Sequence, residues 1–337
     1  MKYVVMKDQD IRDNLATETF VMNNIKTDEP VVLFYFEGPC IIVGRNQNTV
    51  EEINNEYVKE NDITVTRRLS GGGAVYQDLG NLCFSFVVNS DDQNFGDFKS
   101  FTQPIIDVLK RMGASTAEIS GRNDLLVDGK KFSGNAMYSR NGKTYSHGTL
   151  SYDVDLSVLT KALNVPEDKI KSKGIKSIRS RVTNIKPYLN PEFQNLTIEE
   201  FRDSILLELF HANNLDEIKD SEYQITSDDQ KEIDKIKEKY FYNWNWVYGK
   251  SPSFTAKQRK HFDMGTVDVR YQIENGLIKD VNIYGDFFGM KDVKDIKDSL
   301  LGIKFEHDAI NSVLDKFNLD DYFKGVPTAE LLKLFMP

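Results

Sequence analysis

The segment Arg67-Arg68-Leu69-Ser70-Gly71-Gly72-Gly73-Ala74-Val75-Tyr76 sets two fixed cations beside three consecutive glycines, between two strand-like stretches. Glycine accepts φ > 0 and lets backbone N–H groups come close to an anion, while guanidinium groups add charge and donors. Phosphate or carboxylate is the guest such a loop suits. No Gly-Lys-Ser/Thr closes it as in a Walker A loop, and no helix follows as in the dinucleotide fingerprint. The same residues also suit a flexible hairpin loop with two solvated arginines.

A second cluster runs Gly121-Arg122-Asn123-Asp124, then Asp128-Gly129-Lys130-Lys131-Phe132-Ser133-Gly134-Asn135. A lysine on a strand just after a tight turn has a restrained backbone and a mobile ammonium, which can follow charge through acyl or nucleotidyl transfer. Lys131 is the candidate. Strand alternation predicts Lys131 and Ser133 on one face and Phe132 on the other. An exposed lysine pair flanking a turn accounts for the same residues.

Ser146-His147-Gly148-Thr149 offers one histidine with no acid partner or nucleophile at a recognisable spacing, so it reads as a hydrogen-bonded wall residue rather than a general base. Lys169 to Arg181 is strongly basic within an acidic chain. It suits a solvated loop, or a segment that closes over a nucleotide or attracts an acidic partner. The four histidines are scattered without metal-ligand spacing, and Asp155 before Leu156 reads as a helix cap, so no structural zinc is expected.

The elements that must position these residues are legible in outline. Ile11, Leu15, Met22 and Ile25 mark an amphipathic helix after a short edge strand. Val31 to Phe36 and Ile41 to Val43, separated by Glu37-Gly38-Pro39, read as a hairpin. Leu82 to Val88 is a further strand. Phe101, Ile105, Val108, Leu109 and Met112 give a second helix, capped at Asp97 or Ser100 and ended by Gly113. Asp128-Gly129 and Asn141-Gly142 turn two successive hairpins, which implies an antiparallel sheet. Thr197 with Glu200 forms a capping box ahead of a helix, and Asp216 to Lys239 reads as a solvated helix or surface excursion.

The chain has 337 residues, of which 28% are charged and 40% hydrophobic, with a net charge of −9. That length suggests about two compact units at roughly 150 residues each. The composition excludes disordered and collagen-like classes, and the charge argues against general binding to nucleic acid or anionic membrane. Val31 to Phe36 falls far short of the ~20 residues of a spanning helix, and the N-terminus lacks a signal-peptide pattern, so a cytoplasmic protein is expected. Cys40 and Cys83 sit among apolar residues as reduced thiols. A boundary is expected at Gly249 to Ser253, followed by alternating Val267, Val269, Tyr271 and Ile273, an Asn275-Gly276 turn and two helices from Val293 and Ile310. Both halves read as α+β, without the βαβ alternation of a doubly wound sheet.

Four features taken in order resemble the lipoate-protein ligase family of the biotin and lipoate ligase superfamily. They are Arg67-Arg68-x-Ser70-Gly71-Gly72-Gly73-Ala74-Val75, Gly121-Arg122-Asn123-Asp124-Leu125, Lys131-x-Ser133-Gly134 and His147-Gly148-Thr149-Leu150; Lys173-Gly174-Ile175 and Ser177 to Asn184 extend the match. The resemblance implies a large mixed-sheet catalytic domain over residues 1–248, a hinge at 249–253 and a small α+β accessory domain over 254–337. It implies that lipoate and ATP give lipoyl-AMP and pyrophosphate, and that a lysine of an acceptor lipoyl domain then takes the acyl group.

By the same resemblance Arg68 and the stretch Gly73, Ala74, Val75, Tyr76 hold phosphate and adenylate. Ser70 lies near the lipoyl carbonyl, with Gly72, Ser133 and His147 also on the lipoate side. Lys131 bridges lipoate carboxylate and α-phosphate, and Asn123 and Asp124 position nucleotide or Mg²⁺. Lys173, Gly174, Arg179 and Arg181 belong to a loop that orders on the adenylate, with rotation of the C-terminal domain at that stage. Val43, Ala74, Val75 and Phe132 are candidates to line an apolar tunnel. Mg²⁺ arrives with ATP, leaving no permanent metal. The expected acceptors are lipoyl domains of 2-oxoacid dehydrogenases or the glycine-cleavage carrier protein. Rival readings are an octanoyl or lipoyl amidotransferase using a cysteine thioester, a biotin ligase, whose Gly-Arg-Gly-Arg-type loop is missing here, and a non-catalytic lipoate-binding protein.

Overall fold

The computed structural model describes residues 1–89, 96–164, 181–248, 256–274 and 276–335. Lys173, Gly174, Arg179 and the expected hinge 249–253 lie outside them, as does Asn275 of the expected Asn-Gly turn.

Seven strands form the main sheet: β1 (Lys2–Val5), β2 (Val31–Tyr35), β6 (Asn81–Asn89), β7 (Glu118–Ser120), β8 (Asp124–Val127), β9 (Lys130–Arg140) and β10 (Lys143–Ser151). Their order is β1-β2-β6-β10-β9-β8-β7. β1 and β2 are parallel and every other pair is antiparallel, so the sheet is mixed. The helix Ile11–Asn24 crosses between β1 and β2, a βαβ connection that the sequence pattern did not reveal. The two tight hairpins are as expected: Asp128 and Gly129, then Asn141 and Gly142, all take positive φ, as primed hairpin turns require.

A second sheet, ordered β4-β3-β5, consists of β3 (Cys40–Val43), β4 (Thr64–Arg67) and β5 (Val75–Gln77). This corrects the expected hairpin between Val31 to Phe36 and Ile41 to Val43. All five residues of β2 are buried, and its two edges pair with β1 and β6. With no edge left for it, β3 joins β4 and β5 instead.

One face of the main sheet packs Phe84, Leu125 and Phe132 against Phe101 and Ile105 of helix Phe98–Arg111 and Phe201 and Ile205 of helix Ile198–Phe210. The caps are Asp97 for the former and the Thr197–Glu200 capping box for the latter. The opposite face carries Leu33, Cys83 and Tyr145 and meets the helix Ile11–Asn24 and the small sheet. Ser227–Ile236 is helical, and it is less solvated than its charge suggests, because Ile233 and then Phe241 are buried against the first helix.

From residue 256 the chain builds a separate core around Tyr271, Phe287, Phe323 and Phe335. The hairpin of β12 (Gly265–Glu274) and β13 (Leu277–Gly285) gains an edge strand β11 (Ala256–Phe262), whose charged, outward residues hid it from the alternation pattern. Helices Lys294–Leu300 and His307–Leu314 follow as expected, with a third at Thr328–Phe335. This unit touches the rest through Gly285 N donating to Asn46 O, the Arg45–Asp292 pair and a bidentate Arg270–Glu51 pair. Among the described residues no helix is long and apolar enough to cross a membrane.

Candidate active site

Between the main sheet and the small sheet lies a cleft of about 620 Å³, mouth included. Leu15, Ile42, Val75 and Ala136 make apolar wall, while Gly72, Gly73, Asn123 and Lys131 gather as a polar group. Apolar walls with a few convergent polar groups are the usual make-up of a small-molecule site.

Lys131 reaches the cleft because of a register shift between Leu125 and Leu126. Lys131 pairs with Leu126 and Gly134 with Asp124, whereas Ser133 pairs with Leu125. Cross-strand partners share a face, so Lys131, Gly134 and Asp124 look one way and Ser133 the other. The expected shared face of Lys131 and Ser133 is therefore corrected by one bulged residue, Phe132. Ser133 is buried and accepts a hydrogen bond from Asn135 Nδ2, and Phe132 packs in the core across the sheet rather than in a tunnel. Lys131 Nζ lies 2.7 Å from Asp124 Oδ1. A Cβ at Gly134 would come 3.0 Å from that ammonium, so a larger residue there would displace it.

The chain after residue 180 pins the same lysine. Lys131 N donates to Arg181 O at 2.6 Å and Thr183 N donates to Lys131 O at 2.8 Å, a parallel bridge between Lys131 and Val182. Arg181 thus stands at the described end of the basic segment, one residue from this bridge.

The glycine loop runs from β4 to β5. Of its glycines Gly72 alone takes a left-handed φ, +89°. Ala74 and Val75 line the cleft as expected. Tyr76 does not: the alternation of β5 turns its ring into the core of the small sheet beside Ile41 and Val43. Val43 lies in that core too, and Ile42 takes the wall position expected of it.

The two arginines are not solvated. Arg67 is buried and spreads its guanidinium over the carbonyls of Gly44, Arg45, Gln47, Trp246 and Val247 and the Thr49 hydroxyl. Arg68 lines the cleft, but its donors go to Ser70 Oγ and the carbonyls of Ile42, Gly71 and Gly73. Burial pulls both guanidinium groups down to about 10, so they remain charged near neutrality. Arg68 shapes the loop from within.

His147 has the partners that sequence spacing failed to give it. Its Nε2 lies 2.8 Å from Ser70 Oγ, and its Nδ1 lies 3.0 and 3.1 Å from the two carboxylate oxygens of Glu18. A carboxylate can only accept here, so Nδ1 carries the proton and Nε2 accepts from the serine hydroxyl. Glu18 is fully buried. It occupies the gap in the apolar series Leu15 to Met22 on the first helix, and a charge in a buried stripe was the signal for it.

Cys83 also lines the cleft. Its Sγ donates to Glu37 Oε1 at 3.4 Å, and Glu37 is itself fully buried with Oε2 unpartnered. Burial, then the neighbouring carboxyl, push the thiol well above its ordinary value, and burial raises Glu37 to about 8. That is the reverse of what an acyl-carrying thiolate needs. Among the described residues no three His, Cys, Asp or Glu side chains converge as a metal site.

Residues 10–210 match the lipoyl protein ligase A/B catalytic domain, and residues 251–335 match the bacterial lipoate protein ligase C-terminus. Lipoate-protein ligase LplJ of Bacillus subtilis is 45% identical over 325 residues, covering 96% of each chain. The chain belongs to the lipoate-protein ligase family. Two solved structures agree with this family assignment. The P. falciparum protein LipL1 in complex with lipoate superposes with a TM-score of 0.75 at 28% identity, over 98% of this chain and 97% of that one. A lipoate-protein ligase A bound with ATP superposes at 0.60 and 25% identity, over 74% of this chain and 98% of that one.

Proposed function

We propose that the protein is an ATP-dependent lipoate-protein ligase that makes lipoyl-AMP in this cleft and then acylates a lysine of a lipoyl domain. The observation that carries the reading is the convergence of Lys131, Asn123 and the Gly72-Gly73 backbone at a cleft with an apolar wall of Leu15, Ile42, Val75 and Ala136. An aliphatic acid fits the apolar part, and the polar group receives the atoms that react. A lipoate carboxylate oxygen attacks the α-phosphorus, the bond to pyrophosphate breaks, and the acceptor amine later attacks the acyl carbonyl with AMP leaving. Lys131 neutralises the charge that builds on the phosphoryl oxygens and polarises the mixed anhydride in the second step.

Asp124 fixes the place of that ammonium through their ion pair. Gly72 and Gly73 bring backbone close to the adenylate, while Arg68 acts by holding the carbonyls of Gly71 and Gly73. His147 is a wall residue for the acyl chain, and Ser70 is its hydrogen-bond partner. Mg²⁺ comes with ATP on phosphate oxygens and water, which needs no protein-built cage. Residues 1–248 form the catalytic unit and 254–337 the accessory one, with 249–253 as hinge. Lipoyl domains of 2-oxoacid dehydrogenases or the glycine-cleavage carrier protein serve as acceptors, in the cytoplasm.

The test is lipoate-dependent exchange of labelled pyrophosphate into ATP, without acceptor, for wild type and Lys131→Ala. Exchange by the wild type that collapses in the variant supports adenylation at Lys131. No exchange by folded wild type rejects the reading and sends the enquiry to the Cys83 thiol.

A further inference from the structure

We propose that Arg122 and the loop Gly71–Gly73 are two walls of a pyrophosphate-binding site, and that Phe288 of the C-terminal unit fills it in this structure. The inference deepens the adenylation reading and rests on it for the choice of ligand.

Arg122 follows Gly121, which takes φ +58°, and precedes Asn123 of the cleft. Its Nε and Nη1 are enclosed and have no hydrogen-bond partner. Enclosed guanidinium donors left unpaired carry an unrecovered desolvation cost. Arg67 and Arg68, close by, satisfy theirs with carbonyls, so the orphaned pair on Arg122 stands out as a donor set without its acceptor.

What Arg122 has instead is an aromatic face. The Phe288 ring lies 4.3 Å from its guanidinium carbon. A ring offers a cation–π contact but accepts no in-plane N–H. The same ring rests on the glycine loop: a Cβ at Gly72 would meet Phe288 Cζ at 3.1 Å, and one at Gly71 would meet Phe288 Cδ1 at 3.1 Å. Phe288 therefore touches both walls at once. It is 4% exposed and packs edge-to-face on Phe98, so it belongs to the core of the N-terminal unit although its chain neighbours belong to the other.

The space that the ring fills is bordered by the Arg122 guanidinium on one side and by the Gly71 and Gly72 backbone on the other. Phosphate oxygens satisfy such donors by charge-assisted hydrogen bonds. Arg122 precedes Asn123 and Asp124, and Asp124 holds Lys131, so the site continues from the reacting phosphate towards the leaving group. Phe288 and pyrophosphate compete for it, and apparent affinity is lowered by the fraction of molecules in which the ring is seated.

The test is calorimetric titration of the full chain with inorganic pyrophosphate and Mg²⁺, with no lipoate present, so its outcome is separate from that of the exchange assay. Wild type is expected to bind saturably. Arg122→Gln should bind at least about tenfold more weakly, with Arg122→Lys recovering part of the loss, and Phe288→Ala should bind several-fold more tightly. Absence of saturable binding by wild type overturns the proposal, as does equal binding by Arg122→Gln. A loss in Arg122→Gln that accompanies a collapsed melting transition, with no recovery in Arg122→Lys, makes the residue structural and also overturns it.

Discussion

Lys131 Nζ lies 2.7 Å from Asp124 Oδ1, on a strand pair where a bulge turns both side chains to the same side. The two side chains are 38% and 34% exposed, so the pair contributes little to stability. Its effect is on where the ammonium points. Asp124→Asn should shift the melting temperature by no more than about 2–4 °C. Lipoate-dependent pyrophosphate exchange should nevertheless fall by about ten- to a hundredfold in kcat, because a misplaced charge loses transition-state stabilisation. Unchanged kcat would remove Asp124 from the positioning role.

Glu18 fixes the tautomer of His147. Nitrogen-15 NMR of the wild type should show His147 protonated at Nδ1, with Nε2 as the acceptor. Glu18→Ala leaves that buried N–H unpaired and should cost about 1–3 kcal/mol in denaturant unfolding. Glu18→Gln should cost less, because its amide oxygen still accepts. A wild-type spectrum with the proton on Nε2 would contradict the direction of the whole Glu18–His147–Ser70 chain.

Glu37 should make the protein less stable as pH rises. Its folded value is raised by burial from 4.5 to about 8, so between those values the folded chain holds a proton that the unfolded chain has released. The stability from this group is fully present below about pH 4.5 and is lost as pH rises through about 8. Near-isosteric Glu37→Gln should match wild type near pH 5 and exceed it by a few kcal/mol at pH 8, measured by urea unfolding across that range. An identical slope for both proteins would assign the pH dependence elsewhere.

Gly72 and Gly73 should respond differently to alanine. At Gly72 the φ of +89° and the 2.9 Å approach to Arg68 Nη2 both oppose a Cβ, whereas nothing lies within 4 Å at Gly73. Gly72→Ala should cost about 1–3 kcal/mol, and Gly73→Ala should unfold within about 0.5 kcal/mol of wild type. If Gly73→Ala also raises the KM for ATP, the nucleotide approaches the open side of that residue. Equal stability losses would contradict the loop geometry.

The loop, the lysine and the histidine were each legible because residue type and local spacing are sufficient for turns and tight strand pairs. Asp128-Gly129 and Asn141-Gly142 announced their hairpins, and Thr197 with Glu200 its helix. What escaped depends on pairing between distant strands. Ser70 meets His147 because β10 runs beside β6 in the main sheet while the glycine loop folds over it from another sheet. No local spacing encodes that distance of 77 residues. Ser133 was misplaced for a smaller reason, since one inserted residue inverts the alternation on which its face was judged. Of the two readings open for the arginines, the solvated one fails, because charge alone does not show the carbonyls that Gly44, Gln47 and Gly73 present to them. β3 was assigned to the wrong sheet because its turn residues, Glu37-Gly38-Pro39, look alike whether the chain reverses or passes to a second layer.

The bridge between Lys131 and Val182 turns the central lysine into its own reporter. Its amide proton is held by Arg181 O, and that of Thr183 by Lys131 O, so both exchange with deuterium only when residues 181–183 lift from the strand. Following those two amides gives the frequency with which the segment after residue 180 detaches, read without substrate, acceptor or turnover. A ligand that slowed both in concert would reveal that filling the cleft and fastening this strand are one event.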